Sequence, residues 1–365
     1  MNGLLWEKEI RQAEHVRLLG RLDPQQPVFS MFFTGSGVEL RLRCTTLDME
    51  IEADYEIQCP WIGVLVDGAP VARFALSRGR HFYTLLGGMD ETVAHTVTVL
   101  RDTQPVLEDG RLSVRAHRLR SDGELLPLPA RSLGIEFIGD SLTSGEGLTG
   151  PRDAMEWRTI WLSGMETWAA EVCRRMNAQG RWISQSGWGV YWSWDANREH
   201  CIARIYDQIC PVERGGSALY DFEANPVEAV VINLGTNDAA ALSHLKGRAR
   251  EEAAAAITHA AADFIRQVRK KNPQAYILWA YGMCGEEAAP LLRSAVRTVR
   301  REGDRRVGYI RLPACARENL GSREHPGRSS HLRAARAVTK RLQEALAAQK
   351  QPAQRGKGEK HDQDS

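Results

Sequence analysis

The chain has 365 residues, 43% of them hydrophobic, and its 48 basic side chains against 46 acidic ones leave a formal charge of +2. That length accommodates two domains with a substantial core in each. So even a charge balance argues against nucleic acid or an anionic membrane as the main partner.

At the start, MNGLLWEKEI carries Glu7 and Glu9 where a secretory signal has an uninterrupted apolar core. No later stretch approaches the ~20 apolar residues that span a bilayer, so the chain reads as a cytoplasmic protein. From His15 to about Leu119 the pattern is one of short strands. Met49, Ile51, Ala53, Tyr55, Ile57 and Cys59 alternate with Glu50, Glu52, Asp54, Glu56 and Gln58, which puts apolar side chains on one face and acids on a face expected to be solvated. Val38, Leu40, Leu42 and Cys44 alternate in the same way, and Asp67-Gly68 marks a hairpin turn between two apolar runs. Seven or more strands at this spacing predict an all-β sandwich, jelly-roll-like, over residues 1–128. Pro127 and Pro129 stiffen the connector that follows.

Residues 129–348 change to alternating strands and helices. Strands are predicted at 135–138, 182–184, 229–234, 276–280 and 307–312, and helices at 166–176, 198–209, 249–271, 289–301 and 330–347. The fold class is therefore α/β: a doubly wound parallel sheet flanked by helices. The polar tail, 349–365, is expected to be disordered. Seven cysteines at irregular positions give no disulfide framework, and neither they nor the scattered histidines show a metal-ligand spacing.

Ligands collect at the C-terminal ends of the strands in such a sheet. After the first strand comes Ser141, after the second Ser186-Gly187-Trp188-Gly189, after the third Gly235-Thr236-Asn237-Asp238, and after the last His325-Pro326. A serine hydroxyl needs a base such as imidazole, and the oxyanion it generates needs preorganised donors. The amides of Ser141 and Gly189 and the Asn237 side chain are candidates, and the set points to acyl transfer to water. His331 is an alternative base, though its place at the start of a helix favours capping or the surface. Asp140 and Asp238 lie beside tight turns and are read as structural. Seven of the ten tryptophans fall between residues 157 and 194; Trp188, Trp192 and Trp194 are candidates to line a sugar-binding surface.

IEFIGDSLTSGEG, followed by SGWG, GTND and a late HP, resembles the SGNH hydrolase (GDSL esterase) superfamily, and the β-sandwich in front makes the chain similar to its carbohydrate esterase family 2 branch. The resemblance implies Ser141 as nucleophile, His325 as general base, and Gly189 and Asn237 completing an oxyanion hole with the Ser141 amide. It also implies deacetylation of plant polysaccharides and related sugars, with a small-molecule or oligosaccharide acetyl ester as partner and no metal or organic cofactor. The pattern's aspartate three residues before the histidine is missing: Ser322 stands there, and Glu324 is a possible orienting acid. A neighbouring residue points away in extended backbone, so a Ser-His dyad with a backbone carbonyl holding the imidazole is expected. Two rival readings are a GDSL lipase or thioesterase for longer acyl esters, and a noncatalytic carbohydrate-binding protein on a lapsed esterase fold.

Overall fold

A computed structural model describes residues 5–350 of the chain; from 351 onward the tail read as disordered lies outside the described residues. The first part of the chain forms eleven strands: β1 (Trp6–Glu9), β2 (Val16–Leu19), β3 (Phe29–Ser30), β4 (Gly37–Arg43), β5 (Thr46–Asp54), β6 (Trp61–Val66), β7 (Ala69–Ala75), β8 (Gly79–Gly87), β9 (His95–Arg101), β10 (Ser113–Ser121) and β11 (Glu124–Leu126). One antiparallel sheet has the order β1-β10-β5-β8 with β3 beside β10, the other β11-β4-β9-β6-β7 with β2 beside β4. Their alternating apolar residues, Val38, Leu40 and Leu42 from β4 and Met49, Ile51 and Ala53 from β5, bury in one shared cluster. Between β6 and β7 the chain turns on Asp67 and Gly68, both at positive φ, as a tight hairpin requires.

The acidic stripe of β5 is solvated only toward its end, where Glu52 and Asp54 are half-exposed and Glu56, just beyond, is exposed. Glu50 is only 6% exposed, because Arg118 and Arg80 from the flanking strands cover it at 2.8 and 2.7 Å. Asp48 pairs with Arg120 and Glu52 with His117 in the same ladder. Opposite charges on neighbouring strands cover the face at Asp48 and Glu50.

The second part contains a five-stranded parallel sheet: β12 (Gly134–Gly139), β13 (Gln179–Ser184), β14 (Ala229–Asn233), β15 (Tyr276–Tyr281) and β16 (Val307–Arg311), in the order β13-β12-β14-β15-β16. Its helices are α1 (Ser141–Ser144), α2 (Trp168–Met176), α3 (Ile202–Ile205), α4 (Thr236–Ser243), α5 (Gly247–Lys271), α6 (Ala289–Arg301) and α7 (Arg328–Lys350). Ile135, Phe137, Ala229 and Val231 pack with Trp168 of α2 and Val338 of α7. Ile138, Val230 and Ile232 face the other way, against Phe264 of α5 and Leu292 of α6. With both faces covered, the strands read as continuous apolar runs.

Two helices differ from the sequence expectation. The helix expected over 198–209 shrinks to α3, because Cys201, extended, bridges to Gly189, and the chain turns after Tyr206 so that Gln208 bridges to Leu219. α4 was unforeseen, since its first turn carries the polar Thr236-Asn237-Asp238.

Buried arginines join the two parts. Arg101 at the end of β9 reaches Glu213 at 2.6 Å, and Arg21 donates to the Tyr206 carbonyl at 2.6 Å and to Glu136 at 3.5 Å. Among the described residues no helix is long and apolar enough to cross a membrane.

Candidate active site

The strand order places the change of winding direction between β12 and β14, and a crevice opens there beyond the strand ends. Ser141 follows β12 and Asn237 follows β14. Asp140 caps α1 by accepting the Leu142 amide at 3.0 Å, and Gly145, at φ 82, closes the helix after a single turn. That short turn leaves Ser141 at the rim of a cavity of about 610 Å³.

In this cavity Ser141 Oγ lies 2.9 Å from His325 Nε2. The other ring nitrogen, Nδ1, is 2.8 Å from the carbonyl oxygen of Arg323. A carbonyl can only accept, so Nδ1 carries the proton and Nε2 is left to accept from the serine hydroxyl. Glu324 takes no part: it is exposed, its φ of 58 turns the backbone into the left-handed region, and it makes no hydrogen bond to the ring. Ser322, three residues before the histidine, is buried with its hydroxyl unpartnered among the described residues.

His331 is not a surface residue, and the cap it supplies is to the start of α2 rather than to its own helix. It is 1% exposed, its Nδ1 accepts the Trp168 amide, and burial pushes the ring down to about 3. The structure does not bring it to Ser141.

The second glycine segment needs a correction. Gly187, at φ +80, lines the cavity with Ser141, Asn237 and His325, and none of the described residues accepts its amide hydrogen. Gly189 lies behind that wall. A Cβ there would sit 2.3 Å from the Trp192 carbonyl oxygen and 2.4 Å from Asp238 Oδ2. Counting positions selected Gly189, whereas the backbone turn presents Gly187.

Asn237 donates from Nδ2 to the Trp188 carbonyl at 2.9 Å and, at 3.4 Å, to Asp140. Asp238 is structural but not through local amides: it accepts from Val190 and Tyr191, both at 2.9 Å, and so ties the glycine loop to α4. Burial pushes Asp140 up to about 7 and Asp238 up to about 6.

Of the three candidate tryptophans only Trp194 reaches the cavity, where it is 60% exposed. Trp188 is stacked on His200 in the core, and Trp192 donates its indole N–H to the Asp238 carbonyl. Trp157 lines the cavity as well and was not singled out from the sequence; its place within the charged 151–158 segment was the available signal. The sandwich supplies part of the wall, with Gln58, Gln104 and Val106. Gln104 accepts both the amide and the hydroxyl hydrogen of Ser186. Glu146 and Arg323 also line the cavity, and their pairing at 2.7 Å was not foreseen; an acid between Gly145 and Gly147 reads as a turn residue.

Residues 137–351 match the GDSL-like Lipase/Acylhydrolase family. The chain is 27% identical over 331 residues to the Cellulase/esterase CelE of Acetivibrio thermocellus; the match takes in 89% of this chain but 38% of that protein, well under half its length. An acetyl xylan esterase, Est2A, from the rumen bacterium Butyrivibrio proteoclasticus superposes with a TM-score of 0.91 at 29% identity, over 94% of this chain and 99% of the other. A family two carbohydrate esterase from Clostridium thermocellum, in complex with cellohexaose, superposes with a TM-score of 0.80 at 25% identity, over 91% and 99% of the two chains.

Proposed function

Because the chain belongs to the GDSL-like lipase/acylhydrolase family, we propose that it is a serine esterase that removes O-acetyl groups from carbohydrates. The observation that carries this reading is the 2.9 Å contact between Ser141 Oγ and His325 Nε2 on a cavity flanked by two indoles. Ser141 Oγ attacks the acetyl carbonyl carbon while its proton passes to Nε2. The carbonyl oxygen becomes an oxyanion, received by the amides of Ser141 and Gly187 and the Asn237 side chain; each such donor lowers the barrier by about 3 kcal/mol. The imidazolium returns the proton to the departing sugar oxygen as the C–O bond breaks. Water then attacks the acetyl-enzyme with the same base, releasing acetate and restoring the serine.

A carbohydrate on the alcohol side is supported by Trp157 and Trp194, whose flat faces suit the C–H faces of a sugar ring, and by Gln58 and Gln104 as hydroxyl partners. The likeness to an acetyl xylan esterase and to a carbohydrate esterase holding cellohexaose supports the same assignment.

Acyl-chain length tests it. On p-nitrophenyl esters of two to eight carbons kcat/KM should fall as the chain grows, and acetylated xylo-, manno- or gluco-oligosaccharides should release acetate. Activity rising with chain length would instead assign a lipase or thioesterase.

A further inference from the structure

We propose that Glu146 is the positioning residue for the catalytic base: through its ion pair with Arg323 it fixes the Arg323 carbonyl against Nδ1 of His325. The inference rests on the reading of His325 as the base for Ser141, and adds what holds that base.

The segment before His325 is strained. Arg323 sits at φ 56, ψ 32 and Glu324 at φ 58, a conformation that costs a side-chain-bearing residue about 1–2 kcal/mol each. Only this turn directs the Arg323 carbonyl at the ring, so something must hold it against relaxation. The Arg323 amide donates to the Ala154 carbonyl at 2.8 Å, and the guanidinium donates to the Met155 carbonyl at 2.9 Å and to Glu146 Oε1 at 2.7 Å. The first two contacts lie on a loop with exposed neighbours. Glu146 is 3% exposed, and its own amide donates to the Ser141 carbonyl at 3.0 Å. The anchor for the base therefore stands on the turn that carries the nucleophile.

The backbones of the two segments interlock around that pair. The Ser322 amide donates to the Gly147 carbonyl at 2.9 Å. A Cβ on Gly147 would lie 2.3 Å from the Ser322 carbonyl oxygen and 2.9 Å from His325 Cβ, so only glycine lets the segments approach. Burial opposes a charge on Glu146, yet the His325 ring and Arg323 hold its carboxyl below the usual carboxylate range. Its Oε1 is 3.8 Å from Nε2, beyond hydrogen-bond reach, so its hold on the ring runs through Arg323. Ser322 offers the ring nothing, and Glu146 acts on it by way of the Arg323 carbonyl.

The test compares kcat and KM for p-nitrophenyl acetate in wild type, Glu146→Ala, Glu146→Gln, Arg323→Ala and the Glu146→Ala/Arg323→Ala double variant. Glu146→Ala and Arg323→Ala should each lower kcat by about 10²-fold, the scale of a misplaced catalytic group, with KM changed less than about two-fold. Gln keeps an acceptor for the guanidinium and should restore most of that loss. The double variant should lose no more than either single one, because both break one link. A kcat for Glu146→Ala within about two-fold of wild type, or losses that multiply in the double variant, would overturn the proposal. Absence of Ser141-dependent turnover in wild type would sink the esterase reading instead. In that event the ¹⁵N-histidine spectrum still decides: the exchange-protected Nδ1–H signal of His325 should be present in wild type and lost in Glu146→Ala. Its persistence in the variant would refute the positioning role.

Discussion

Gly187 and Gly189 are two residues apart, yet the turn gives them different tasks. At Gly187 an added methyl would meet only the edge of Trp194, at 3.0 Å, and the cost is a left-handed backbone conformation at the cavity wall. At Gly189 it would collide with a carbonyl and a carboxylate. Gly187→Ala should therefore lower kcat by about 10- to 10³-fold through a displaced oxyanion amide, while Gly189→Ala should cost about 1–3 kcal/mol of stability by overpacking. Paired kinetics and chemical denaturation separate the two; a Gly189→Ala variant that is stable but inactive, beside a fully active Gly187→Ala, would reverse the assignment. Ser141, Asn237 and His325 could be found from the sequence because each follows a strand at one edge of the sheet. Which glycine amide faces the cavity could not, since the sign of φ decides it. Glu146 was hidden for a similar reason: its partner, Arg323, lies 177 residues away.

At the scale of elements, an ion pair between Arg73 and the buried Asp102 helps dock the loop between α1 and α2. Arg73 of β7 meets Asp102 at 2.6 Å and also donates to the carbonyls of Ile160 and Leu162. Asp102 accepts the Met165 amide at 2.7 Å, and Ser163 in the same loop donates to the Gly145 carbonyl beneath the nucleophile turn. Burial pushes Asp102 up to about 6, with Arg73 pulling the other way. An acid raised in the folded state keeps a proton that the unfolded chain releases near pH 4, so the stability it contributes is fully present below that and is lost as pH rises through 6. Arg73→Ala removes the opposing charge and should cost about 3–5 kcal/mol at pH 8 and distinctly less at pH 5. Denaturation midpoints at the two pH values check this; an equal cost at both would show that Asp102 does not titrate there. The strand periodicities were readable in both parts of the chain. Coverage of the acidic β5 face was not, because Arg118 and Arg120 arrive from a strand about seventy residues later. The failed helix over 198–209 was shaped by the Cys201 and Gln208 bridges, contacts that no local pattern encodes.

For the whole molecule, the two parts share both a core boundary and a cavity. Arg21 and Arg101 place fully buried guanidinium groups against Glu136 and Glu213, and breaking such a pair costs about 3–5 kcal/mol. A chain pinned in this way should unfold in one calorimetric transition, and two resolved transitions would contradict it. Gln104 of the first part shapes the Ser186-Gly187 turn of the second, so the sandwich belongs to the site's architecture. The two-part layout was legible in the change from period-two strands to alternating strands and helices. The shared wall was not, since residues such as Gln58 and Gln104 carry no pattern of their own. All these arrangements converge on the hydroxyl of Ser141, and the most direct measurement is acetate release from an acetylated xylo-oligosaccharide by wild type and by Ser141→Ala at matched melting temperature. The account predicts steady turnover by wild type and a loss on the order of 10⁴-fold or more in the variant; turnover by Ser141→Ala within about ten-fold of wild type would contradict it.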